Sequence, residues 1–153
     1  MLTGEKTDVN QIISKMPSTL LSNYAYRNNG NLTFSNVAKE WGLDIPSFSN
    51  GCAYGDLDND GDLDLVVNNV NMEAFIFRNE ASQKSGNNFI QFELKGEDRN
   101  RYAIGSKVQC FLGDKIFVQE QMPSRGFQSS VDYILTFGLG KHSRVDSVHV
   151  LWP

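Results

Sequence analysis

Residues 55–69 read GDLDNDGDLDLVVNN, and the stretch carries two signals at once. Asp56, Asp58, Asp60, Asp62 and Asp64 occupy loop positions 1, 3, 5, 7 and 9, with Gly61 at position 6. The run Leu63, Leu65, Val66, Val67 that follows is the short apolar pattern of a strand. Hard oxygen ligands on alternate residues, bent by a glycine that tolerates positive φ, suit calcium, which takes about 6–8 oxygens at about 2.3–2.6 Å. In that arrangement Asp56, Asp58 and Asp60 supply side-chain oxygens, Asp62 its backbone carbonyl, and Asp64 a side chain from the start of the strand. An EF-hand needs a bidentate Glu at position 12 and flanking helices, whereas position 12 here is Val67 and no helical pattern adjoins. Magnesium, which keeps several waters, fits less well. Without a cation, carboxylates about 7 Å apart repel by roughly 0.6 kcal/mol each in a water-like dielectric, and a divalent ion reverses that sign.

The rest of the 153 residues frame this loop. Residues 1–80 hold five basic and eleven acidic side chains and 81–153 hold nine and seven, so the acidity is one local site rather than an acidic face. A composition of 40% hydrophobic and 21% charged residues excludes collagen, coiled coil and wholesale disorder. Fifteen asparagines beside 13 glycines imply many tight turns between short strands. Cys52 and Cys110 are too few for a disulfide framework and read as small buried apolar side chains. No run of 18 apolar residues is present to span a membrane, and the start MLTGEKTDVNQ lacks the apolar segment of an export signal.

Along the chain, Asp8 as cap and Val9, Ile12, Ile13 and Met16 at helical spacing predict a short helix ended by Pro17. Tyr24 and Tyr26, the turn Asn29-Gly30, and Leu32 and Phe34 predict a hairpin, and residues 37–48 a loop with one helical turn. AFIFRN at 74–79 predicts a strand. It repeats the pattern of Tyr24-Ala25-Tyr26-Arg27-Asn28, displaced by 51 residues, a spacing close to one propeller blade. Residues 81–88, ASQKSGNN, read as a linker. Beyond it strands are expected at 89–94, at 107–112 and 115–121 about Gly113-Asp114, at 134–137 and at 145–151.

These residues carry a resemblance. GDLDNDGDLDLVVNN, YRNNGNLTFSNVA and IFRN resemble the FG-GAP (VCBS-type) repeat, while IQFELKG, NRYAIGSKV, SRGFQSS, FGLG and VDSVHVLWP resemble the ASPIC/UnbV domain of cartilage-acidic-protein-like chains. The resemblance implies an all-β chain: part of a β-propeller-type blade packed with a small β-sandwich-like domain, behind a short N-terminal helix. The expected division is a leader at 1–22, a calcium-binding blade at 23–80, the linker at 81–88 and the ASPIC/UnbV-like domain at 89–153. It further implies a non-catalytic adhesion or interaction module of an exported or cell-surface protein, in which this chain is a C-terminal piece. One blade leaves sheet edges open, so packing on the second domain or self-association is expected.

Other chemistry is thinner. His142 and His149 are isolated, and His149 alternates with Val148 and Val150 as an outward strand residue. Ser124, Ser129, Ser130 and Asp132 lack both a nucleophile elbow and a placed histidine. Ser124-Arg125-Gly126-Phe127 reads as a hairpin turn, with Arg125 and Phe127 as a candidate partner contact. Without a basic face or recognition helix, nucleic acid is a poor fit. An accessory role in a carbohydrate-active protein is the alternative. Asn31-Leu32-Thr33 is a glycosylation sequon by pattern.

Overall fold

The computed structural model describes residues 9–153; the cap assigned to Asp8 lies outside the described residues. Strand accounts for 42% of the chain and helix for 8%, so the fold is all-β, built of small antiparallel sheets without a closed barrel. Backbone contacts divide it into two units, one ending at Phe48 and one beginning at Ser49.

In the first unit, α1 (Val9–Lys15) forms where the helical spacing predicts it. Its apolar residues Val9, Ile12 and Ile13 are nevertheless about half exposed or more. Two short ladders follow: β1 (Leu21–Ser22) pairs with β4 (Pro46–Ser47), and β2 (Tyr26–Asn28) pairs with β3 (Phe34–Asn36). The β2–β3 connection is longer than a two-residue turn. Gly30 at φ 78° and Leu32 at φ 64° bend it, and Asn29 N–H donates to the Thr33 carbonyl at 3.0 Å. Asn side chains knit the bend, which explains their abundance there: Asn28 Oδ1 accepts from Gly30 N–H, and Asn31 Oδ1 from Thr33 N–H and its hydroxyl.

The second unit opens with a meander of β5 (Ser49–Gly55), β6 (Asp64–Asn69) and β7 (Phe75–Phe77). The helix α2 (Ala81–Ser85) then leads into β8 (Asn88–Glu93), β9 (Lys107–Leu112), β10 (Lys115–Glu120), β11 (Ser124–Arg125), β12 (Ser129–Ser130), β13 (Ile134–Gly140) and β14 (Ser147–Leu151). The segment read as a linker thus contains α2, closed by Gly86 in the left-handed conformation. Strands β10, β9 and β14 form one sheet and β13 and β8 another. Val108 and Cys110 of one and Leu135 and Phe137 of the other, alternate along their strands, meet Leu94 and Ala103 of the β8–β9 connection in a shared core, the arrangement of a small sandwich. Phe92 and Phe137 meet edge to face at 5.7 Å inside it. Val108 and Cys110 are fully buried, and burial raises the Cys110 thiol pKa.

The expectation for the cysteines holds only for Cys110. Cys52 is exposed, and both thiols are free, because Cys52 lies on the open face of β5, where exposed and half-buried residues alternate.

Candidate metal centre

The acidic run is the connection of a hairpin: β5 ends at Gly55, β6 begins at Asp64, and Gly55 pairs with Asp64 across the ladder. Two residues make the bend. Asn59 adopts φ 59° and Gly61 φ 89°, the left-handed region in which a side chain is disfavoured. Gly61 has a second reason to lack a Cβ, since one placed there would fall 1.8 Å from Cε1 of Phe89 in β8. The loop therefore rests against the ring of a strand from the sandwich.

Each carboxylate has its own surroundings. Asp56 accepts from Asp60 N–H and Gly61 N–H at 3.0 Å each, and from the Gln91 amide at 3.0 Å. Asp58 pairs with Arg78 at 2.6 Å, and Asp60 lies 3.9 Å from the same guanidinium nitrogen. Asp60 also accepts from Asp62 N–H at 3.2 Å and from the Gln83 amide at 3.4 Å. Its pKa is held below the ordinary carboxylate value, first by the Asp62 N–H, with Gln83 and Arg78 assisting against a partial desolvation that raises it. The Ser82 hydroxyl lies near enough to Asp60 to add to this depression, yet outside hydrogen-bonding geometry. Asp62 accepts from Ser82 N–H through Oδ2 at 2.7 Å, while its Oδ1 is buried with no partner. Asp64 is 3% exposed and takes Leu57 N–H at 3.1 Å on one oxygen and Asn79 N–H at 2.7 Å on the other.

Ligand oxygens of Asp56, Asp58 and Asp60 all lie within 4.8 Å of one another, about twice a calcium–oxygen bond, so one ion can touch all three. Asp62 lies outside this group of three, and its orphaned Oδ1 is not among the converging oxygens. The trio's all-oxygen, anionic set fits a hard divalent cation, and an unpartnered buried carboxylate oxygen is a group that a cation would satisfy. Asp64 has another occupation: its two backbone hydrogen bonds clamp the start of the loop to the residue that follows Arg78.

Sequence reasoning missed Arg78, Gln83, Ser82 and Gln91. The first had a legible signal in the repeated Arg-Asn ending of the strand motif; the others reach the loop from α2 and β8, which only folding brings near. Arg125 and Phe127 part company. Arg125 turns inward, donating through Nε to the Tyr54 hydroxyl at 2.9 Å and through a terminal nitrogen to the carbonyls of Met122 and Ser124, with its guanidinium over the Tyr54 ring. Phe127 is 62% exposed at the tip between Gly126 and Gln128, both at positive φ. His149 is exposed and leans on the Phe111 ring at 4.8 Å. Among the described residues no helix is long and apolar enough to cross a membrane.

Residues 14–67 match the family model of the FG-GAP-like repeat, and residues 96–153 match that of ASPIC and UnbV. The first match takes in the whole acidic loop and stops within β6; the second begins after β8. No curated protein matches the chain.

Proposed function

From the premise that this chain carries an FG-GAP-like repeat followed by an ASPIC/UnbV segment, we propose that it is a calcium-stabilised, non-catalytic interaction module of an exported or cell-surface protein. In this reading residues 23–80 are the calcium-binding blade and 89–153 the second domain. The observation that carries it is the convergence of Asp56, Asp58 and Asp60 within 4.8 Å, supported by the orphaned Asp62 Oδ1. Asp56, Asp58 and Asp60 would hold the ion through side-chain oxygens, with the Asp62 carbonyl as the further ligand that the loop spacing suggests. Bound calcium would supply charge neutralisation, drawing the β5–β6 loop closed where carboxylates otherwise repel. Modules working outside cells bind calcium at about 10⁻⁴–10⁻³ M, which suits a millimolar supply. The partner is a protein or glycan, met through exposed side chains such as Phe127 and through open sheet edges, which also permit self-association.

Thermal unfolding in millimolar calcium and then in chelator, on the wild type and Asp60→Ala, tests the proposal. At a ~10⁻⁴ M site the ion adds about 1.4 kcal/mol to the wild type, and the variant should gain nothing. Equal midpoints in all four conditions would remove the calcium reading.

A second reading is an accessory domain for glycan. A cleft of about 450 Å³ lined by Tyr54, Gln119, Arg125, Asp132 and Thr136 supports it, being of ligand-pocket size with an aromatic wall and mixed polar groups. Saccharide titration by NMR checks it; unchanged Tyr54 and Thr136 resonances at millimolar sugar would rule it out.

A further inference from the structure

Resting on the calcium reading above, we propose that Arg78 is the built-in counter-cation of the acidic loop and sets the calcium concentration at which that loop responds. Arg78 follows β7, and one terminal nitrogen lies 2.6 Å from Asp58 Oδ2 and 3.9 Å from Asp60 Oδ2. Both acids belong to the converging trio. A guanidinium cannot shed its charge near neutral pH, so any incoming cation competes with it for the same oxygens. The other partners in the loop differ in kind. Asp56 and Asp64 are held by backbone N–H groups and a neutral amide, which orient a carboxylate without cancelling its charge.

Release of Arg78 is cheap. The Arg78 and Asp58 side chains are 57% and 34% exposed, and ion pairs of this exposure contribute little. The arginine therefore tunes affinity and does not block the site. Displacement also leaves its charge on the surface beside the site, where it continues to disfavour a divalent ion. The molecule contains its own control: Arg27, at the matching place in the first copy of the motif, pairs with Glu40 at 3.6 Å.

Calorimetric titration with calcium chloride at fixed ionic strength, on the full chain, tests the assignment. Arg78→Gln should bind calcium about five-fold more tightly than the wild type, the gain expected from losing one exposed pair. Arg27→Gln should leave affinity unchanged, and Arg78→Lys, which keeps the charge, should stay within about two-fold. Raising salt from low to physiological strength should weaken wild-type binding less than Arg78→Gln binding, because salt also loosens the competing pair. If the wild type binds calcium and Arg78→Gln binds it equally or more weakly, Arg78 is a bystander or a support and the assignment falls alone. If neither protein binds calcium at 10 mM, a probe level about ten times the weakest expected constant, the calcium reading falls and takes the assignment with it.

Discussion

Tyr24–Asn28 and Phe75–Asn79 share one pattern and end in the same Arg-Asn pair, yet the two copies do different things. In the first, the following bend is held by neutral Asn and Thr side chains, and Arg27 finds a distant glutamate. In the second, Arg78 reaches two aspartates and Asn79 N–H is captured by a third. The strand motif only delivers an arginine and an asparagine to the end of a hairpin; the neighbouring loop decides what they are for.

The glycines of the two bends, Gly30 between β2 and β3 and Gly61 between β5 and β6, separate these regions most sharply. Gly30 and Gly61 both adopt positive φ, but a Cβ on Gly30 meets nothing within 4 Å whereas one on Gly61 strikes the Phe89 ring. Gly30→Ala should cost about 1 kcal/mol from backbone strain alone, and Gly61→Ala about 2–4 kcal/mol as overpacking is added. Urea denaturation in chelator measures both, and equal losses would mean that the acidic loop does not rest on β8.

Within the acidic loop, the aspartates should divide in the same experiment. Asp64→Ala strands the N–H groups of Leu57 and Asn79 and should cost about 1–3 kcal/mol with or without calcium. Asp58→Ala removes only an exposed pair, so its chelator stability should stay within about 1 kcal/mol of the wild type. A calcium-dependent loss at Asp64 would return that residue to the ligand set.

The smallest effect is the response to acid. Asp60 and Glu80 both titrate below their ordinary values of 3.8 and 4.5, Asp60 first through the Asp62 N–H and Glu80 first through its hydrogen bond with Lys84. Depressed carboxylate pKa values give stability that is fully present above the unfolded values and lost as pH falls through the folded ones. Midpoints in chelator should therefore be flat from pH 7 to about 5 and slip only below about 4.5, as these two groups begin to protonate. A decline already under way at pH 6 would assign the acid response to other groups.

How much of this was legible followed from chemistry that repeats along the chain. The acidic loop, the turn at Gly113-Asp114 and the strands at 107–112 and from Ile134 are local patterns, and they appear where the sequence places them. Strand β5 was hidden because its core reads Asn50-Gly51-Cys52-Ala53, with no apolar run. Its glycine answers a distant need, since a Cβ on Gly51 would come within 2.8 Å of the Phe127 carbonyl and the Ser129 hydroxyl. The burial of Asp64, the inward turn of Arg125 and the reach of α2 to Asp60 and Asp62 likewise depend on partners from 15 to 71 residues away. Window-by-window patterns carry no trace of such encounters.

Strand β8 holds a practical lesson for anyone cutting this protein apart. The ASPIC and UnbV match starts at Gly96, but β13 has β8 as its sole ladder neighbour among the described residues. A piece trimmed to the match would strip one whole sheet of its hydrogen-bonding mate and bare Leu135 and Phe137. Such a truncation invites strand-to-strand clumping in the tube, whereas a cut upstream of Asn88 keeps that sheet intact.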